Sequence, residues 1–190
     1  NTANPLTVKR LGYGTMRLPG EQVWGEPENR EEAVQILKAT SEDDINFLDT
    51  ADYYGEDVTN RLIAESLHPY KKDLVICTKV GASRGVDKSW NVYDKPENLR
   101  ASIDNNLKTL KIEQIQLVHF RVMPRTTTPF EESLKAMFEM QKEGKIMEVG
   151  VSNVTTEELN PALSIGKVAS VENAFSYVQR TSFFSIWSRY

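Results

Sequence analysis

Four side chains able to do acid–base chemistry stand at or just beyond the ends of short apolar runs: Asp49, Tyr54, Lys79 and His119. Asp49 follows the run 45–48, with Tyr54-Gly55 five residues on; Lys79 closes 74–78 and His119 closes 115–118. Singly, each has an ordinary reading. An Asp after a strand caps a helix, a His there is a hydrogen-bonded core residue, and a Lys is a solvated surface charge. Together they read differently. A phenol titrates near a pH of about 10 and is a poor acid at neutrality. An adjacent ammonium favours the phenolate and makes proton donation easier. A carboxylate paired with that ammonium holds it in place and keeps it charged. An imidazole can orient a carbonyl and share the negative charge developing on its oxygen. Such a set protonates an oxygen while something else delivers hydride to the carbonyl carbon. No side chain delivers hydride, so a nicotinamide or flavin cofactor is implied.

The runs that carry these residues alternate with helical patterns. Strands are expected over 11–15 (approached through 6–8), 45–48, 74–78, 115–118, 148–151 and 168–171. Between them, Pro27–Asn29 opens a helix carrying Ala33, Ile36, Leu37 and Thr40 on one face. A second helix over 58–67 turns Leu62, Ile63 and Leu67 inward and stops at His68-Pro69. Pro96-Glu97 starts a third, whose Leu99, Ile103, Leu107 and Leu110 share a face. A fourth runs over 130–143, closed by Gly144. Thr155-Thr156-Glu157-Glu158 starts a fifth, followed by Leu159, Ala162 and Leu163.

Repeated strand–helix–strand units predict a parallel sheet. Six such units make either an open doubly wound sheet or a (β/α)₈ barrel that stops early, since a full barrel takes about 250 residues. The first strand runs into Gly12-Tyr13-Gly14-Thr15-Met16-Arg17 without the third glycine of the dinucleotide-binding turn. The pattern therefore favours the α/β TIM barrel, as one domain over 1–190 with only about six βα units present. In a barrel the C-terminal strand ends form one rim, which is where Asp49, Tyr54, Lys79, His119 and Ser152-Asn153 would meet.

These residues resemble the aldo-keto reductases. Asp49-Thr50-Ala51-Asp52-Tyr53-Tyr54-Gly55 is similar to that family's DTA-x-x-YG signature, and Cys77-Thr78-Lys79-Val80-Gly81 resembles its strand-three lysine motif. Glu143-Gly144-Lys145-Ile146 through Val149-Gly150-Val151-Ser152-Asn153 matches its EGKI…GVSN run, and the likeness extends from about Leu11 to about Arg180. It implies an NADPH-dependent reductase of small carbonyl compounds, with NAD as the alternative cofactor. By the same resemblance Tyr54 is the general acid, Asp49 and Lys79 tune it, and His119 positions the carbonyl. Ser152 and Asn153 would hold the nicotinamide carboxamide, main chain near Thr15 and Met16 would line the floor beside the cofactor, and Trp24 would wall the substrate pocket.

Three departures stand out. Glu172 occupies the place of the family's strand-six Gln, and a carboxylate accepts from an amide but cannot donate to its oxygen. The segments supplying strands seven and eight are not in the 190 residues. The span 175–190 holds Phe175, Tyr177, Phe183, Phe184, Trp187 and Tyr190, a density that suits a buried segment. On this reading the domain is C-terminally incomplete, and its uncovered sheet edges and interior are expected to make the 190-residue form self-associate.

Composition limits the alternatives. With 39% apolar and 26% charged residues the chain has the makeup of a globular protein, and no apolar run nears the length of a membrane helix. A net charge of −4 argues against a broad nucleic-acid surface. The single cysteine, Cys77, reads as inert core, and it fits a reducing, cytoplasmic setting without a leader. A metal-dependent barrel hydrolase would need clustered ligands, yet His119 is the one histidine at the rim, so no metal is expected. The rival from another class is an inactive, reductase-like binding or regulatory subunit. Of the remaining features, His68 reads as a solvent-facing helix end, and Trp90 and Tyr93 as residues of a Gly/Ser-containing loop that could wall the pocket.

Overall fold

A computed structural model describes residues 6–178 and 180. Six parallel strands form one sheet in the order β1 (Tyr13–Gly14), β2 (Phe47–Asp49), β3 (Val75–Val80), β6 (Ile115–Arg121), β7 (Ile146–Ser152) and β8 (Val171–Glu172). Helices α1 (Arg30–Glu42), α2 (Val58–Leu67), α3 (Pro96–Leu110), α4 (Phe130–Lys142) and α5 (Thr156–Ile165) connect them. The sheet is curled. In a flat sheet β3 and β8, three positions apart, would lie about 14 Å from each other. Yet Lys79 of β3 and Glu172 of β8 approach to 3.3 Å across the concave face. The architecture is the expected barrel fold, with six of its strands present among the described residues.

Local sequence explains the helix limits. Asn29 caps α1 by accepting from the Glu32 amide at 3.1 Å, and α5 opens on the capping box expected at Thr155 and Glu158. Gly144, in the left-handed region at φ 85°, closes the turn after α4. The convex face of the sheet buries Val80, Val118, Phe120, Val149 and Val151 beneath Leu99, Ile103, Leu134, Met137 and Ala162 of α3, α4 and α5. A second cluster joins Leu48 and Ile76 to Leu37 of α1 and to Leu62 and Ile63 of α2. Between these two, Asn60 and Asn106 lock α2 to α3. Asn60 donates to Asn106 Oδ1 at 2.9 Å, and the same oxygen takes the Thr78 hydroxyl at 2.7 Å. Each member of that buried set has a partner, so the strand carrying Lys79 is fixed from behind.

Several boundaries differ from expectation. The strands do not stop before the polar residues: Lys79 and His119 lie within β3 and β6, because the curl gives their side chains partners on the concave face. The first strand is only Tyr13–Gly14, since the Thr15 hydroxyl donates to the Asp49 carbonyl at 2.8 Å and the chain turns at once into a 3-10 turn, Thr15–Arg17. The loop after β3 is an antiparallel hairpin of β4 (Ala82–Arg84) and β5 (Trp90–Val92), with an Asp87 side chain accepting from the Ser89 amide in its turn. Phe175 and Tyr177, expected to be buried, are 62% and 86% exposed, past the end of β8. The other aromatics of that span, Phe183, Phe184, Trp187 and Tyr190, lie outside the described residues. Among those residues no helix is long and apolar enough to cross a membrane.

Candidate active site

The register of the sheet sets the layers of the concave face. Asp49 pairs with Cys77, Lys79 with His119, and His119 with Gly150. Side chains two apart on a strand share a face, so Cys77 and Lys79 point inward together, as do His119 and Arg121. Gly150 is required where it stands: a Cβ there would lie 2.8 Å from His119 Nε2 and 2.7 Å from the Ser170 hydroxyl. Tyr54 comes from the turn after β2, where its amide donates to the Ala51 carbonyl at 3.1 Å. The next residue, Gly55, sits at φ 70°, and a Cβ on it would come within 2.6 Å of the Pro19 side chain. Both the turn and the close approach of the 19–25 segment demand glycine there.

At the centre Lys79, with 2% of its side chain exposed, forms an ion pair with Asp49. Its Nζ also stands 3.3 Å from Glu172 Oε1 and 5.5 Å from the centre of the Tyr54 ring. Burial alone would pull the ammonium down, but Asp49, Tyr54 and Glu172 outweigh it and hold Lys79 well above its ordinary value. Asp49 goes the other way: burial raises its carboxyl although Lys79 opposes the rise. Burial also acts to raise Glu172, but its bond to His119 and the charge of Lys79 outweigh that and leave it depressed. For Tyr54 the sequence-based expectation needs correction. Lys79 does favour the phenolate, yet burial raises the phenol above its ordinary value and Asp49 adds to that, so the net shift is upward.

Glu172 ends the sixth parallel strand, as the resemblance implied, and its side chain is turned to the interior cations. Its two oxygens face Lys79 and His119 Nδ1, the latter at 3.1 Å, because the curl carries the end of β8 over the cationic interior. A carboxylate only accepts, so Nδ1 is the donor of that pair, and Nε2 lies 2.7 Å from the Ser170 hydroxyl. Cys77 is fully buried core, as expected, and on the inward face. Its sulfur lies 3.2 Å from the same Nδ1, and burial pushes its thiol well up, keeping it protonated. Period-two alternation with Lys79 was the signal for this position. Asp49, Cys77, His119 and Glu172 bring four ligand-type atoms within 4.8 Å of one another. The cation among them is the Lys79 ammonium, which faces both carboxylates.

The nicotinamide-binding residues can be tested by chemistry. A carboxamide needs both donors and acceptors. Ser152 is buried at the end of β7, and no described residue takes up its hydroxyl. Asn153 donates from Nδ2 to the Val122 carbonyl at 2.8 Å and keeps Oδ1 as an acceptor. The two fit the group, whereas Glu172 is committed elsewhere. Thr15 is committed as well, its hydroxyl to Asp49 and its carbonyl to the Leu18 amide at 3.0 Å, which leaves Met16 and Arg17 as the exposed residues of that turn. Trp24 lies 5.6 Å from the Arg84 guanidinium, beside Val23, which packs in the rim cluster with Tyr53 and Tyr54. Trp90, on β5, meets Tyr53 edge-on at 5.8 Å, so the hairpin does stand at the rim.

One titratable group of the signature escaped the sequence reading. Asp52 accepts from the Ser102 hydroxyl at 2.6 Å, while its other oxygen is buried without a partner. Burial raises it to about 7, against a smaller lowering by Ser102. With the folded value above the unfolded one of about 3.9, the fold binds a proton that the unfolded chain releases, and the favourable contribution is lost as pH rises towards 7. Urea denaturation at pH 5, 6, 7 and 8 should therefore show stability falling, by at most about 3 kcal/mol from this group over that range. Asp52→Asn should flatten that slope; an unchanged slope would remove Asp52 as its source.

Comparisons with known proteins show which family and fold the chain resembles. The family model described as "Aldo/keto reductase family" matches residues 10–184. Pyridoxine 4-dehydrogenase of Escherichia coli (strain K12) is 37% identical over 184 residues, covering 94% of this chain and 64% of that protein. An uncharacterised oxidoreductase of Schizosaccharomyces pombe is also 37% identical, over 92% of this chain and 56% of its own length. Among solved structures, the glycerol dehydrogenase of Gluconobacter oxydans superposes with a TM-score of 0.82 at 24% identity, over 92% of this chain and 54% of that one. A Klebsiella pneumoniae aldo/keto reductase in complex with NADP and acetate gives 0.74 at 21% identity, over 94% and 59%. The chain thus spans less than two thirds of the length of these relatives.

Proposed function

The chain belongs to the aldo/keto reductase family, and we propose that its protein reduces small aldehydes or ketones to alcohols with NADPH as hydride source. The observation that supports this reading best is the Tyr54 phenol held beside the buried Lys79–Asp49 pair at the strand ends. When bound, the dihydronicotinamide supplies the hydride; Ser152 and Asn153 would hold its carboxamide, with Met16 alongside. The residues of the chain handle the proton. Tyr54 gives its O–H proton to the carbonyl oxygen, and the resulting phenolate is stabilised by the Lys79 ammonium until solvent reprotonates it. Asp49 keeps Lys79 charged and in place. His119, steadied by Glu172, borders the carbonyl, and Trp24 walls the pocket on the side of the 19–25 segment.

A test is NADPH consumption by the full gene product with a panel of aldehydes that includes 4-nitrobenzaldehyde and pyridoxal. Turnover with at least one of them is the expected result. Cofactor binding, seen as a change in NADPH fluorescence, without turnover of any would instead support the inactive binding subunit.

A further inference from the structure

We infer that Arg121 is a specificity-determining residue of this site, selecting carbonyl substrates whose far end carries a carboxylate or a phosphate. The inference rests on the reductase reading and names its substrate class. Arg121 ends β6 two residues beyond His119 on the same inward face, about 7 Å further along the strand. It is half-buried, and its contacts with described residues are weak: Nε donates to the Met123 thioether at 3.4 Å, and the guanidinium carbon lies 5.9 Å from the Trp90 ring. Among the described residues no carboxylate forms an ion pair with it. A half-buried cation without a countercharge is costly.

The neighbouring arginine shows the contrast. Both terminal nitrogens of Arg84 are engaged in structure, donating to the carbonyls of Val23, Gln22 and Lys88 at 2.9, 3.0 and 2.8 Å, and its guanidinium lies 4.2 Å from the Trp90 ring. The interior acids are engaged too, Asp49 by Lys79 and Glu172 by Lys79 and His119. Arg121 alone of this group keeps its terminal N–H donors for something else. Those donors form a planar fork that matches the paired oxygens of a carboxylate or phosphate. Packed rings connect the fork to the acid: Tyr54 meets Tyr53 edge-on at 5.4 Å, Tyr53 meets Trp90 at 5.8 Å, and Trp90 flanks Arg121. His119 and Arg121 share the inward face of β6, so a substrate whose carbonyl lies at His119 and Tyr54 has Arg121 within reach of its far substituent.

The test compares two aldehydes of nearly equal shape, 4-carboxybenzaldehyde and methyl 4-formylbenzoate, with the full gene product and NADPH. The acid should exceed the ester in kcat/KM by about 10- to 100-fold, mainly through KM, as suits a charge-assisted, bidentate contact. Arg121→Gln should reduce that ratio to near one, and Arg121→Lys should keep part of it. 4-Formylphenyl phosphate, assayed beside them, shows which anion is preferred. Calorimetric binding of 4-(hydroxymethyl)benzoate to the cofactor-loaded protein needs no turnover and should weaken at least tenfold in Arg121→Gln. Equal use of acid and ester, or a ratio that survives Arg121→Gln, overturns the assignment while leaving the reductase reading intact. Benzoate binding that depends on Arg121 without reduction of any aldehyde overturns the reductase reading and leaves the anion subsite standing.

Discussion

Tyr54→Phe is expected to lower kcat by about 10²–10⁴-fold, the usual worth of a positioned general acid. The substitution removes the one proton to be given to the carbonyl oxygen and little else. The ring remains in the rim cluster with Val23, Tyr53 and Met123, and the Lys79–Asp49 pair remains behind it. Cofactor affinity should therefore stay near that of the parent, because Ser152 and Asn153, the proposed carboxamide partners, lie on the other side of the site at the end of β7. Because burial raises the Tyr54 phenol, the parent should keep its proton donor through neutral pH and lose activity only on the alkaline side. A raised phenol pKa keeps the neutral, donating form present to higher pH. Single-turnover reduction and NADPH titration of parent and variant give the two numbers. A variant with parental single-turnover rates would show that some other group supplies the proton.

The parts of this site that the sequence revealed are those set by local rules. Capping residues marked where α1 and α5 begin, and the apolar runs marked the strands that deliver Lys79 and His119 side by side. Those two are register partners on adjacent parallel strands, so equal placement after equal runs was sufficient. The parts it hid depend on curvature. Nothing local tells that Glu172 of β8 reaches Lys79 of β3, because the contact exists only once the sheet closes on itself. The Tyr54 shift was misjudged for a related reason: the adjacent lysine is visible in the chain, but the loss of water around the phenol appears only after packing. Cys77 was legible as buried core, and its alternation with Lys79 marks the inward face on which it meets His119. The 82–92 hairpin was hidden because its strands are short and its turn is polar, features that also describe an irregular loop.

Lys79→Met is expected to damage both stability and turnover, and its pH dependence separates the two. Removing the ammonium leaves Asp49 and Glu172 facing each other across the concave surface with no cation between them. Breaking a buried pair in this way costs about 3–5 kcal/mol, since the remaining charge keeps its desolvation penalty and loses its compensation. Asp49 should carry most of that loss: its side chain is 19% exposed, whereas Glu172 at 37% is screened by solvent and still bonded to His119. The carboxylates respond by binding protons. Asp49, raised already in the parent by burial, should rise further in the variant. A carboxyl raised in the fold contributes stability at low pH and loses it as pH climbs through the folded value, so the variant should be weakest at pH 8 and recover towards pH 5. Urea midpoints of parent and variant across that range measure the effect. Adding Glu172→Gln to Lys79→Met should restore part of the stability at pH 8 by removing one of the two charges, and should not restore kcat, because the phenolate left by Tyr54 would still lack its ammonium. Equal midpoints for parent and Lys79→Met at pH 8 would show that the pair contributes no net stability, and that Lys79 is kept in this interior for its effect on Tyr54 alone.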